Sequence, residues 1–537
     1  MAKTCSVCFI ETSNLTPLFS NNCSETALSK IVKSMKGIKI KKADKPTSVI
    51  CLTCIEQCIS FFKNQQVNNN VSNMAVANLS TSHQPKLFDV IENNCRNVTH
   101  LSLDMMIHPL GYFNWIKSLK KLQCLKVNGG VPEGLYEKIL AMIPKDIKEI
   151  YLLINKNSEM EKLRHTAVKA LLEFHNLSHL ALHNVFIGKD LMEALSLKTK
   201  LVYLDLKGCH FWENDTSMFS KLINLEHLDL RYVEHLDDYV FSDIVENCIE
   251  LKYLNLERIY NIETKNHVSQ LGNLRKLEYL NLKNTHVGKF MLSDIIKNLK
   301  NLSYLDINNC YELPKYLIDY LNKLMNLEYL NLENIQDLNT KSVVALVNNC
   351  RNLKTLKILL SNNVSANAFK KIRNLKKLEH LQLDCITKKN EKALVIIANE
   401  CKNIKYLLIS ASSRATVASP VELGNLIKLE TLILNNFNEV PPEIFKKLDR
   451  LKHLDFSLCK NVTDSVAAYV IDNCQNLTYL CCSETGISID FLNYTVEKFK
   501  YRTNNNILII HVDESLYEDF DEKENYSSGL RVMQDYL

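Results

Sequence analysis

Glycine is scarce, with 12 in 537 residues. Loops that cradle phosphate groups need glycine for close backbone approach, so nucleotide chemistry is not expected. No Gly-x4-Gly-Lys-Ser/Thr, Gly-x-Ser-x-Gly or His-Glu-x-x-His occurs, and no enzyme or small-molecule substrate is expected. No apolar run approaches the ~20 residues a membrane helix needs. The opening Met-Ala-Lys-Thr-Cys has no apolar signal core, so a soluble, intracellular chain without membrane contact is expected. Charge of one sign is also lacking. Lys and Arg number 65 against 60 Asp and Glu, a net +5, which is a weak argument for a nucleic-acid partner. The 18 cysteines are then expected as reduced thiols. The sequons at Asn176, Asn301 and Asn476 are expected to stay unmodified.

Such a length exceeds one ordinary globular core unless it is a repeat array. The stretch from Leu451 to Asn476 carries the repeating pattern. Leu451, Leu454, Phe456 and Cys459 form the inward set of a short strand and turn. Thr463 and Asp464 offer side-chain oxygens to the start of a helix. Val466, Val470 and Cys474 follow at four-residue steps, one stripe of that helix. Leu477 restarts the strand. The motif Leu-x-x-Leu-x-Leu begins at Val98, Leu122, Ile147, Leu177 and Leu201, and continues to Leu451 and Leu477, mostly at 24 to 26 residue spacing. Ile507 to Val512 is a plausible last strand. This is the pattern of leucine-rich repeats. It predicts an α/β solenoid, a leucine-rich repeat horseshoe of about 16–17 repeats over residues 87–512, with parallel strands on the concave face.

Cys95, Cys248, Cys350, Cys401 and Cys474 sit three residues before a strand, and Cys209, Cys310 and Cys459 follow one. A small apolar thiol suits tight packing between units. These repeats resemble the cysteine-containing subtype of leucine-rich repeats. That subtype is common in substrate-recognition subunits of cullin-RING ubiquitin ligases, the source of an alternative function. The array is mixed, since the repeat at Asn273 to Leu280 lacks the cysteine. His175, His179 and His183 have the spacing of metal ligands on a helix. The register instead places His179 and His183 on a strand, ~13 Å apart, too far to share an ion.

Outward strand positions follow from the register. They give a column of rings (Tyr203, His227, Tyr253, Tyr279, Tyr304 and Tyr329) beside Asp205, Asp229 and Asp306, with Arg231 at the next outward position. Tyrosine offers large contact area at little entropic cost, so these are the candidate residues for a protein partner. The plainer alternative is that Leu-Glu-Tyr-Leu-Asn-Leu is simply a good repeat consensus.

Two Cys-x-x-Cys pairs, Cys5 with Cys8 and Cys51 with Cys54, stand in residues 1–68. Two such knuckles complete a tetrahedral four-sulfur zinc site, with Cys23 and Cys58 as competing ligands. Reduced cysteines in a small fold, or a redox pair, are the alternatives. The pairs, the apolar Leu28, Ile31 and Val32, Pro46, and Ile50-Cys51-x-x-Cys54 followed by Phe61-Phe62-Lys63 resemble the ZAD domain, the zinc-finger-associated domain of insect transcription factors. The resemblance implies a small treble-clef-like zinc domain. Cys5, Cys8, Cys51 and Cys54 would hold one structural Zn2+, and the domain would support homodimerisation in a nuclear protein (alternatively a cytoplasmic one). The sequence departs from that family at Ser6, where arginine is usual, and no DNA-binding fingers follow. Residues 69–86 read as a flexible linker with no room for an F-box, and residues 513–537 as an acidic tail. The expected function is a non-enzymatic scaffold binding a protein partner on the concave face. The alternative is the substrate-recognition subunit of an SCF-type ubiquitin ligase.

Overall fold

The computed structural model describes residues 98–104, 114–129, 135–153, 165–211, 218–236, 238–259, 268–285, 295, 297–310, 321, 323–335, 338–360, 363–412, 419–500, 506–520 and 529–535. Of residues 1–97 it describes only the backbone of Lys3–Thr4, Glu11–Thr12, Leu15–Pro17 and Val49–Cys51. Leu15–Pro17 pairs antiparallel with Val49–Cys51. Cys5, Cys8, Cys54 and the Cys51 side chain lie outside the described residues, as does the linker.

The chain divides after Asn255 into two compact units. In the first unit, parallel strands follow one another in sequence order: His100–Asp104, Cys124–Asn128, Glu149–Leu153, His179–His183, Tyr203–Asp205, His227–Asp229 and Tyr253–Asn255. The Leu-x-x-Leu-x-Leu motif accounts for the geometry. Leu201, Leu204 and Leu206 are fully buried, while Tyr203 between them is half-buried. Leu204 pairs in register with Leu180 on one side and Leu228 on the other. No repeat can cover this apolar edge alone; the neighbouring repeat does it, at about 1.5–3 kcal/mol per leucine. One carbonyl before each strand accepts two N–H groups of the next repeat. Ser178 O accepts from Val202 N (2.9 Å) and Tyr203 N (3.1 Å), and Val202 O from Glu226 N (2.9 Å) and His227 N (3.0 Å).

The second unit continues the same pattern from Tyr279–Asn281 through Tyr304–Asp306, Tyr329–Leu332 and Thr355–Leu359 to His453–Asp455, Tyr479–Cys481 and Leu508–Val512. The sequence pattern ends the array at Val512. The ladder runs one strand further, because Leu530–Gln534 pairs in parallel with Leu508–Val512 and buries Leu530 and Val532. The segment after Val512 is therefore not only an acidic tail.

Short helices and 3-10 turns return the chain from one strand to the next. Asn339 caps Thr340–Asn349 by accepting from Lys341 N (2.9 Å) and Ser342 N (3.2 Å). The repeat Leu451–Asn476 behaves differently at its helix start. Thr463 occupies the cap position of Asp464–Asn473 without a side-chain cap bond. Asp464 turns to the next repeat, accepting from Ser488 N at 2.7 Å and Ser488 Oγ at 2.6 Å. The helix buries Ala467, Val470 and Ile471, with Cys474 beyond it, while Val466 is half-exposed.

After most strands one residue takes a left-handed conformation to turn the chain away. Asparagine serves at Asn184, Asn284, Asn309, Asn334 and Asn436, with φ between 54° and 62°. Glycine serves at Gly208, where φ is 69° and a Cβ would overlap Asn184 Oδ1. Asparagine tolerates this region better than other non-glycine residues.

Candidate interaction face

The aromatic column has the register the sequence predicts. In the first unit Tyr203 pairs with His227, and His227 with Tyr253. Their rings stack: Tyr203 on His227 at 4.2 Å between centroids, and His227 on Tyr253 at 3.8 Å. His179 extends the column, 5.6 Å from Tyr203, and Tyr151 meets Tyr203 edge-on at 6.1 Å. His179 and His183 both lie on the strand His179–His183, as the register requires.

In the second unit Tyr279, Tyr304 and Tyr329 stack at 4.0 Å each. Thr355 follows Tyr329 in register and interrupts the column. It resumes as His380 on Tyr406 at 5.7 Å, is broken again by Thr431, and resumes as His453 on Tyr479 at 4.1 Å. These later rings stand in the same register position as the candidates. The strand pattern carries them, although the candidates taken from the sequence end at Tyr329.

The acidic column is buried. Asp205, Asp229 and Asp306 are 7%, 2% and 4% exposed, and Asn255, Asn281 and Asn331 share their position. Most close a short loop with the backbone two residues on. Asp205 Oδ1 accepts from Lys207 N (3.0 Å), Asp229 Oδ1 from Arg231 N (3.0 Å), and Asp306 Oδ1 from Asn308 N (2.9 Å). Asn281 and Asn331 do the same for Lys283 N and Glu333 N. The short polar side chain thus satisfies a turn N–H that the ladder leaves over.

The remaining oxygens are also occupied. His183 Nε2 lies 2.8 Å from Asp205 Oδ2. Burial alone would raise the Asp205 carboxyl. The His183 contact and the Lys207 N–H outweigh it, and the carboxyl sits below its ordinary value. Arg231 forks onto Asp229, Nε to Oδ1 at 3.0 Å and Nη2 to Oδ2 at 2.9 Å. Burial and the Asp205 charge still hold the Asp229 carboxyl above its ordinary value. Asp306 Oδ2 accepts from Asn331 Nδ2 (3.1 Å) and Tyr329 Oη (3.3 Å), and burial raises its carboxyl too.

A third column, further along the strands, carries the half-exposed polar groups. Lys207, Arg231, Asn308 and Glu333 stand here. Asn308 Nδ2 donates to Glu333 Oε2 at 2.9 Å, and Gln382 donates to both Glu333 and Asp384. Burial raises the phenols: Tyr329 and Tyr479 are pushed up to about 12, and Tyr203 and Tyr304 also stand above their ordinary value. The rings therefore present neutral hydroxyls at physiological pH.

The cysteines of the repeats are packing groups. Cys209, Cys310 and Cys459 point their thiols at Leu182 O (2.9 Å), Leu282 O (3.0 Å) and Leu434 O (3.0 Å) of the preceding repeat. Thr285 fills the same slot where the cysteine is lacking, with Oγ1 2.7 Å from Leu256 O. Cys248, Cys350 and Cys474 sit against carbonyls before the strands at 3.7–3.9 Å. Burial pushes Cys209, Cys248, Cys310, Cys350 and Cys474 up to about 12, which keeps their thiols protonated.

Residues 238–419 match the family model described as a leucine-rich repeat region. No curated protein matches the chain. Among solved structures, the chain is similar to a leucine-rich repeat protein of Leptospira interrogans, at 20% identity over 78% of this chain and 97% of that one, with a TM-score of 0.46. It is similar to an internalin of Listeria monocytogenes at 19% identity, 61% of this chain, 86% of that one and a TM-score of 0.41. It is also similar to a chain of the mouse RP105/MD-1 complex at 16% identity, 80% of this chain, 87% of that one and a TM-score of 0.41. The leucine-rich repeat fold is, in general, a scaffold for protein interaction.

Proposed function

We propose that the chain is a non-enzymatic scaffold that binds a protein partner on its strand face. The observation that carries this reading is the stacked column Tyr279, Tyr304 and Tyr329, held at 4.0 Å spacing. Packing fixes these rings before any partner arrives, so little side-chain entropy is lost on binding. Their faces cover one another, which leaves edges and hydroxyls for contact. Bases stack on open ring faces, so this arrangement favours a protein partner over single-stranded nucleic acid. In the same unit, Asn308 and Glu333 would supply the polar rim, and the buried Asp306 would hold its strand exit beneath it.

The test compares Tyr304→Ala with Lys221→Ala, whose side chain is exposed away from the strands, in capture of partners from the protein's own cells. Loss of the same proteins with Tyr304→Ala alone is expected, at about 2 kcal/mol or more for a hot-spot tyrosine. Equal capture by both variants would move the binding site off the strand face.

The N-terminal residues complete the proposal on sequence grounds. Cys5, Cys8, Cys51 and Cys54 would hold one structural Zn2+, and that module would pair two chains in the nucleus. Light scattering of the full-length protein with and without zinc, beside Cys51→Ser, checks this. A zinc-loaded monomer would remove the dimer.

A further inference from the structure

Beside the main ladder in the first unit, the turns that follow the strands make a second, smaller one. His210–Phe211 pairs in parallel with Phe186–Ile187, and His210 also bridges in parallel to Glu234. The backbone bonds are well formed: His210 N to Val185 O at 3.1 Å, Glu234 N to Cys209 O at 3.0 Å, and Phe211 N to Glu234 O at 3.1 Å. This pairing fixes His210, Glu234 and His235 side by side on two successive repeats.

The side chains converge. His210 Nδ1 lies 3.2 Å from Glu234 Oε2, and the His210 and His235 rings are 4.4 Å apart between centroids. One donor atom from each of the three residues lies within 4.8 Å of the others. Phe186 packs edge-on against the His210 ring at 5.2 Å, which restrains the imidazole. Glu234 and His235 are exposed and His210 is half-buried, so a solvated ion has access.

The distances suit a metal ion. Nitrogen and carboxylate donors bind zinc at ~2.0–2.2 Å, which at tetrahedral angles separates two donors by ~3.4 Å. The His210–Glu234 pair, in hydrogen-bond contact at 3.2 Å, stands close to that separation, and a side-chain rotation at exposed His235 would bring in the third donor from within 4.8 Å. Two imidazoles and one carboxylate suit first-row transition ions better than magnesium or calcium, which prefer all-oxygen sites.

We propose that His210, Glu234 and His235 form a surface site for one zinc-class divalent ion, with the fourth coordination position open. That position takes water, or a donor atom from whatever docks on this part of the chain. The site is separate from the four-cysteine site expected in residues 1–68, and the proposal stands whether or not the strand face binds a protein.

The test uses full-length protein stripped with a chelator, then equilibrated with Zn2+ or Co2+ by dialysis and assayed for bound metal. Wild type, Cys51→Ser and the double variant His210→Ala/His235→Ala are compared. The double variant is expected to bind one equivalent less than wild type, with its thiolate-to-cobalt absorption unchanged. Cys51→Ser is expected to keep the histidine-bound equivalent. Equal stoichiometry for wild type and the double variant would overturn the proposal. If the double variant fails to fold, His235→Gln alone decides the matter, since its side chain is exposed. At least a tenfold weaker affinity for one equivalent is expected, and wild-type affinity for every equivalent would overturn the site.

Discussion

Tyr203 and His227 stack face to face, their planes 15° apart, and Tyr253 covers the other face of the imidazole within 10° of parallel. Burial pushes the His227 imidazole down to about 4; the Asp205 charge opposes this, and Arg231 and His179 add to it. The unfolded value is ~6.5. The unfolded chain therefore binds the proton more readily between the two values. The stabilising contribution is complete above pH ~6.5 and is lost as pH falls through the folded value of about 4. His227→Phe keeps a ring in the stack and removes the titration. Urea melts of both proteins from pH 7.5 to 4 check this: the wild type is expected to lose more stability than the variant. Parallel curves would show that His227 does not titrate as its burial requires.

The register was legible because each repeat places leucine, or another apolar residue such as Ile147 or Phe456, at the same three positions, and only one alignment buries them all. The stacked column followed from the same arithmetic. The role of Asp205, Asp229 and Asp306 did not. Alternation marks them as outward, but the hydrogen bond each makes two residues on draws the carboxylate down against the turn. The last strand was hidden because Leu530–Gln534 lacks the leucine motif and follows an acidic stretch. The cluster of His210, Glu234 and His235 was hidden because His210 belongs to the repeat before the adjacent Glu234 and His235 and meets them only through pairing between turns. The zinc expectation for Cys5, Cys8, Cys51 and Cys54 rests on spacing and resemblance alone.

Asp464 shows how a side chain read as a local cap serves the neighbouring repeat. Its two oxygens take Ser488 N and Ser488 Oγ, and Ser488 Oγ in turn accepts from Asp490 N at 3.2 Å. Ser488 is the cap of Ile489–Phe499, so Asp464 holds the start of the next helix. Asp464→Ala removes charge-assisted bonds and is expected to destabilise by about 1.5–3 kcal/mol. Asp464→Asn keeps one acceptor for Ser488 N and should lose less. Hydrogen exchange locates the effect: amides of residues 489–499 should lose protection before those of 464–473. The reverse order would mean that Asp464 acts on its own helix.

Cys459 joins two repeats through both of its hydrogen-bonding roles. Its thiol points at Leu434 O (3.0 Å), and its sulfur accepts from Phe437 N (3.3 Å). Burial pushes the thiol up to about 11, so it is protonated at neutral pH and a poor nucleophile. Cys459→Ala leaves the Phe437 N–H without this acceptor and is expected to cost about 1–3 kcal/mol. Cys459→Thr restores a hydroxyl of the kind Thr285 places at this slot, and should recover part of the loss. Alkylation of native protein mapped by mass spectrometry gives an independent reading. The exposed Cys385 should react well before Cys459. Early labelling of Cys459 would mean that this junction opens far more readily than its packing implies.

Gly424 marks a close approach between the connecting segments of adjacent repeats. It lies in the 3-10 turn Val421–Asn425, and a Cβ there would stand 2.6 Å from Ile444 O and 3.3 Å from Ile444 C in the turn Pro442–Lys447. Those atoms are backbone, so no side-chain rotation relieves the overlap. Gly424→Ala must push the two turns apart over the buried Leu423, Ile444 and Phe445, at an expected cost of about 1–3 kcal/mol. Gly188 provides the contrast, since a Cβ added there meets nothing within 4 Å. Gly188→Ala should stay within about 1 kcal/mol of wild type. Thermal melts of the two variants decide it. A Gly424→Ala melt as high as that of Gly188→Ala would mean that adjacent repeats separate at this turn without strain, contrary to the close packing that sets their spacing.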